Sequence, residues 1–267
     1  MAEVKTSFVA IFDVLGFTNL VESLGAAGLY SKYSNLRDMA FHATMPGMKD
    51  SEIDGFKVVV SDPATRRAGL RIFSDTIMMW SEDNQFSNFA DLIVSVDSML
   101  KSGYLLSFPL RGSVGYGDLI INKESDITIG SAIIDAYRGE QSQVWSGCAL
   151  TPACEKYIRD NHFLEKLTDK FTRLASSERH GFFRRRLLGF ASLLVEANIP
   201  TKRKFLGWQR VGYRKGLAVN WTHCLAPGAA KNSFQPVTKR KSRESQIQNE
   251  TLKFELIQRA KTMSSCD

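Results

Sequence analysis

What this chain lacks narrows it first. No apolar run approaches the roughly 18 residues that a membrane-spanning helix needs, and the start, MAEVKTSFVAIFD, has no basic segment, apolar block and small-residue cleavage site in succession. Cysteine is scarce: the four at 148, 154, 224 and 266 are scattered over 267 residues, as expected of free thiols in a reducing cytoplasm. Cys148, Cys154 and His162 match no familiar zinc spacing. There is no internal repeat and no low-complexity segment. The expectation is a cytoplasmic protein without a membrane anchor. With 43% apolar and 24% charged residues, the chain has enough material for a substantial core.

Charge is not scarce, but it is lopsided. The net charge is +7, with Arg-Arg-Arg at 184–186, TKRKF at 201–205 and TKRKSR at 238–243. These runs invite a nucleic-acid reading, yet no aromatic-interleaved recognition motif accompanies them. A solvated basic surface that attracts polyanions, nucleoside triphosphates included, is the simpler account.

Along the chain, FVAIF at 8–12 reads as a strand buried on both faces. Residues 18–44 read as helix, interrupted near Gly25 and Gly28 and ended by MPG at 45–47. FKVVVSD (56–62) is a strand, and LRIFSDTIMMW (70–80) is a hairpin with Ser74-Asp75 at its tip. FSNFADLIVSVDSMLK (86–101) has the three-to-four spacing of an amphipathic helix. YLLSFPLRGSVGYGDLII (104–121) gives one or two strands, and DITIGSAIIDAYRGE (126–140) a strand running into a helix. That order predicts an α+β fold, a ferredoxin-like or palm βαββαβ sandwich with its helices on one face. Residues 1–150 form one unit in this reading. Residues 151–267 form a basic, mainly helical C-terminal elaboration packed on it: helix over 155–196, a strand-like GLAVNWTHCL (216–225), a polar linker near 231–246 and a terminal helix.

Asp13 directly follows the first strand, where an unpaired carboxylate is costly to desolvate. Alone it reads equally well as a cap for the next helix. Asp75 changes the balance, because in a βαββαβ sheet the first strand and the hairpin lie side by side. Two aspartates at matching heights suit hard divalent cations. Gly16-Phe17-Thr18 stands where the next helix begins, and its amides favour phosphate. Together these residues describe a triphosphate site.

FDVLGFT (12–18) resembles the first signature of the class III nucleotidyl cyclases, RIFSDTIMMW their second, and LRGSVGYGDL their arginine-and-glycine strand pair. The resemblance spans roughly residues 6–150. It implies that Asp13 and Asp75, with the backbone of Val14, hold two Mg2+ or Mn2+ ions, and that Gly16, Phe17 and Thr18 bind phosphate. It also implies a homodimer whose sites lie at the interface. GSAIIDAYR partly matches the last signature, placing Arg138 as the transition-state arginine, while the family's asparagine is Ile134 here. At the base-reading position stands Arg71, with Arg111 as the alternative reader or a residue paired within the sheet. With VNW at 219–221, the set looks most like the pyrimidine cyclases of Pycsar anti-phage defence, whose cyclic UMP or cyclic CMP activates a separate effector. Tyr116, Tyr137 and Phe56 are candidates to narrow a base pocket, or core residues. The expected substrate is UTP. The rival readings are a CTP cyclase, a purine nucleotide cyclase and a degenerate module that binds nucleotide or nucleic acid without catalysis.

Overall fold

The structure is a computed structural model that describes residues 3–42, 48–53, 56–61, 68–122, 124–177, 191–205, 208–221, 247–255 and 257–258. The basic runs at 184–186 and 238–243, the 231–246 linker and MPG at 45–47 lie outside the described residues. Among the described residues no helix is long and apolar enough to cross a membrane.

The first strand, β1 (Lys5–Val14), leads into α1 (Phe17–His42). A short pair, β2 (Met48–Ile53) and β3 (Phe56–Ser61), forms its own two-stranded sheet. Then come β4 (Ala68–Phe73), β5 (Thr76–Ser81), α2 (Phe86–Leu105) and β6 (Leu110–Asn122). The main sheet runs β4-β5-β1-β6, antiparallel throughout. With β1 and β5 flanked by β4 and β6, this is the order expected of a βαββαβ unit, and the fold is α+β. The chain continues with β7 (Ile127–Ile129), α3 (Ser131–Ser142), β8 (Gly147–Leu150), α4 (Pro152–Asp160), α5 (Phe163–Ser177), β9 (Leu194–Phe205) and β10 (Trp208–Val219). β8 joins β6 in parallel, β10 and β9 extend the sheet beyond it, and residues 247–255 are helical.

α1 bends where expected: Gly25 has φ 65° and ψ 175° within it. Three element assignments depart from the sequence reading. α2 runs on to Leu105, because Tyr104 is buried and donates its hydroxyl to the Ser146 carbonyl, so the strand begins only at Leu110. β2 is a strand despite its polar sequence, MKDSEI, through backbone pairing with β3. The C-terminal elaboration carries two twelve-residue strands besides its helices, and the TKRKF run lies in β9.

β1 sorts its side chains by alternation. Phe8, Ala10, Phe12 and Val14 enter the large core with Leu29 and Leu36 of α1 and the apolar side of α2. Val9 and Ile11 enter a smaller cluster with Leu119 of β6 and Ala132 and Ala136 of α3. Helices therefore cover both faces of the sheet, not one. α3 lies close because Gly115 is beneath it: a Cβ there would sit 2.5 Å from the Ala136 nitrogen. Asp135 fastens the helix, accepting from the Tyr116 amide at 3.2 Å and the Thr151 hydroxyl at 2.5 Å.

Candidate active site

Asp13 shares the β1 alternation of Val9 and Ile11, so its side chain belongs to the α3 side of the sheet. Its neighbours across the sheet are Thr76 on β5 and Arg111 on β6. Asp75 sits at the adjoining hairpin tip, where the Val14 amide donates to its carbonyl at 3.0 Å. The tip is held in an unusual shape. Ser74 has φ 55°, a region costly for a residue with a Cβ, and the Tyr33 hydroxyl of α1 donates to its carbonyl at 2.9 Å. The two aspartates expected to act together are thus brought together.

The electrostatics of the pair are strained. Arg111 Nη2 donates to Asp13 Oδ2 at 2.9 Å, which favours the charged carboxylate. Burial outweighs it, however, and Glu140 and Asp75 add like charge, so the Asp13 carboxyl rises from 3.8 to about 6. Burial, then Asp75 and Asp13, also push the Tyr33 hydroxyl upward. A hard divalent cation between the two carboxylates would relieve this repulsion, and its preferred donors, carboxylate and carbonyl oxygens, are those present. Asp13, Asp75 and the Val14 backbone therefore fit such an ion. Among the described residues no cluster of three or more His, Cys, Asp or Glu side chains that could hold a metal ion occurs.

Gly16 turns the chain into α1 with φ 76°, a left-handed conformation that glycine adopts freely. Leu15 is tied by its amide to the Pro109 carbonyl at 2.9 Å. The first amides of α1, from Phe17 and Thr18, have no partner within the helix, and its first turn carries no acidic residue to compete for them. Phe17 packs against the core while Gly16 and Thr18 are exposed. The turn opens immediately beyond Asp13.

The arginines divide. Arg111 is buried, with Nε donating to Glu140 Oε1 at 2.5 Å as well as Nη2 to Asp13. Of its two sequence readings, the geometry is that of pairing within the fold. Arg71 shares the strand alternation of Phe73, whose row is that of Thr76 and Asp13. It is two strands from Asp13, more exposed, and held by Asp126 at 2.5 Å and the Thr128 hydroxyl at 3.1 Å. Arg138 is exposed on α3 and makes no hydrogen bond or ion pair among the described residues, so it is not joined to Asp13 or Asp75 within the chain. Ile134, in place of the family asparagine, is also exposed. Tyr116 stacks on Tyr157 at 4.1 Å and touches Phe8, a core placement. Tyr137 is exposed, and the side chain of Phe56 lies outside the described residues. Cys148 and Cys154 are buried free thiols, both raised by burial.

Sequence reading missed Glu140. In YRGEQS it looks like one more charge on a solvated helix face, yet it is 1% exposed. Its four-residue spacing from Ala132 and Ala136 was the available signal.

No protein-family model matches the chain, and no curated protein matches it. Among solved structures, a bacterial light-regulated adenylyl cyclase aligns over 58% of this chain and 45% of its own length, at 14% identity and a TM-score of 0.40. A class III adenylyl cyclase-like ATP-binding protein from Pseudomonas aeruginosa aligns over 58% and 35%, at 10% identity and 0.39. The catalytic core of a rhodopsin-guanylyl cyclase with converted specificity, in complex with ATPalphaS, aligns over 82% and 97%, at 10% identity and 0.42. The chain thus spans less than half the length of the first two.

Proposed function

We propose that the chain is a nucleotidyl cyclase that converts a pyrimidine nucleoside triphosphate, UTP in preference to CTP, into its 3′,5′-cyclic nucleotide and pyrophosphate. The observation that carries this is the junction of Asp13 and Asp75 beside the Gly16 turn that opens α1. In the reaction the ribose 3′-oxygen bonds to the α-phosphorus, the bond to the pyrophosphate oxygen breaks, and the hydroxyl proton is released. Asp13 and Asp75 with the Val14 backbone would hold two Mg2+ or Mn2+ ions, which lower the pKa of the hydroxyl and offset charge on the triphosphate. The Phe17 and Thr18 amides donate to phosphate oxygens, and Gly16 lets them approach.

Arg138 is assigned to the developing charge on the transferring phosphorus. Exposed and unattached to its own aspartates, it suits the site of a second copy. Ile134 and Tyr137 on α3 and Ile127 and Ile129 on β7 are each at least half exposed, apolar area that a homodimer would cover. The base falls to Arg71. A guanidinium only donates, which matches the two carbonyls of uracil better than the single one of cytosine. Both arginines spend donors within the fold, Arg71 on Asp126 and Thr128 and Arg111 on Asp13 and Glu140, but Arg111, the alternative reader, is buried at 5% exposure while Arg71 is accessible to a base. A role in anti-phage signalling, with a separate effector answering to the cyclic nucleotide, rests on the signature resemblance alone.

The test is incubation with ATP, GTP, CTP and UTP in turn with Mn2+, followed by product identification. Cyclic UMP is expected from UTP, and Arg71→Ala should lower that turnover at least about tenfold, since a site that hydrogen-bonds its substrate suffers when the partner is lost. Cyclisation of ATP or GTP instead would end the pyrimidine reading. No cyclic product from any of the four would end the cyclase reading.

A further inference from the structure

Glu140 and Arg111 form a buried ion pair that a core has little reason to contain. They are 1% and 5% exposed, and apolar residues of similar volume often serve stability as well or better. The pair is also not closed on itself. Both oxygens of Glu140 are engaged: Oε1 accepts from Arg111 Nε at 2.5 Å and Oε2 from Gln141 Nε2 at 2.7 Å. Arg111 passes the order on, with Nη2 reaching Asp13 Oδ2 at 2.9 Å. The guanidinium is a rigid planar fork, so fixing its Nε fixes the direction of Nη2. The base of the chain is firm too, since α3 is pinned to β6 by Asp135 and by the close approach at Gly115.

We propose that Glu140 is a positioning residue of the candidate active site, acting through Arg111 to hold Asp13 by one oxygen and leave the other for a divalent cation. Glu140 has a second effect in the same direction. Without its negative charge, the Arg111 cation would lean wholly on Asp13 and compete with the metal for that carboxylate. Supporting groups of this kind orient the ligand and set its availability without touching the ion. The inference rests on the metal-pair reading of Asp13 and Asp75.

The test is Mn2+ binding to the full chain without nucleotide, by calorimetry or electron paramagnetic resonance, alongside circular dichroism. Glu140→Gln keeps the shape and an acceptor but removes the charge, and should weaken Mn2+ binding about tenfold or more. Arg111→Lys keeps the buried charges balanced while replacing the fork with a single ammonium that cannot serve both carboxylates. It should weaken binding similarly, and it decides the matter if Glu140→Gln does not fold. In turnover, both should raise the Mn2+ requirement while leaving KM for UTP at saturating Mn2+ within about twofold. Folded variants that bind Mn2+ as tightly as the parent overturn the role of Glu140 and leave the metal pair standing. A parent that binds no Mn2+ overturns the metal pair, and this inference with it.

Discussion

β1 presents two faces built from alternate residues of one ten-residue strand, and they obey different rules. On one, Phe8, Ala10, Phe12 and Val14 are at most 2% exposed and pack among aromatic neighbours, with Phe8 within 4.7 Å of Phe89 and 5.1 Å of Tyr116, centroid to centroid. On the other, Val9 and Ile11 pack with Leu119 of β6 and with Ala132 and Ala136 of α3, and Met78 and Trp80 of β5 lie against that cluster. The next residue of that face is Asp13, set in a charged network with Arg111 and Glu140. The first face stabilises the fold by burying apolar area. The second holds a carboxylate raised to about 6, chiefly by burial and further by Glu140 and Asp75, an arrangement that costs stability and is characteristic of sites that do chemistry. The strand supplies the rigidity on one face that the other needs.

The largest expected effect separates the two faces outright. Asp13→Asn or Asp75→Asn should cut cyclase activity by at least about a hundredfold, with the melting temperature unchanged or raised, because a strained like-charge contact is relieved. Phe12→Ala, one residue away on the other face, should cost about 3–5 kcal/mol while the surviving folded fraction keeps its turnover. Activity assays paired with thermal melts read both. If Asp13→Asn unfolds the protein, or Phe12→Ala kills turnover in folded molecules, the division between the faces is wrong.

A smaller effect tests whether the charged face is completed by a second copy. Chains carrying Asp13→Asn and chains carrying Arg138→Ala should each be inactive alone. In a mixed dimer with sites shared across the interface, one of the two sites regains both residues. Equal mixing should then restore about a quarter of parental activity, since about half the dimers are mixed. Heterodimers demonstrated by tagged co-purification but without activity would place the whole site in one chain.

Much of this was legible in the sequence, and unevenly for physical reasons. β1, kinked α1 and the Ser74-Asp75 hairpin announce themselves because their signals are local: a β-branched run, glycines, an apolar strand on each side of a polar tip. The adjacency of Asp13 and Asp75 followed from the element order. β2 was not legible, since MKDSEI has no strand composition and becomes one only by pairing with β3. Tyr104 and Leu105 read as strand because of their composition, but packing keeps them in α2. Covering both faces with helices depends on small residues, Gly115 under Ala136, a match of two distant positions that no window in the sequence contains. Arg111 was singled out for its chemistry, but its partner Glu140 lies 29 residues away, and without that partner its direction could not be read.

The smallest effect is the dependence on pH. The carboxyl of Asp13 is raised from 3.8 to about 6 on folding, with burial the main cause. A raised value means that the folded protein binds more protons than the unfolded chain between those limits. The contribution is therefore fully present below about pH 4 and is lost as pH climbs through 6, at most about 3 kcal/mol in all. Stability depends on pH through every ionisable group, so the parent alone does not isolate it. The difference between parent and Asp13→Asn does, because asparagine has no proton to lose. Without metal, the parent should lose ground to the variant between about pH 4 and 7 in thermal melts. Mn2+ should return that ground to the parent, more at pH 7 than at pH 5, since a divalent cation binds the charged carboxylate. Parallel pH curves for the two proteins would mean that Asp13 is not held under strain. Stabilisation by Mn2+ of the parent and of Asp13→Asn alike would mean that the ion binds elsewhere.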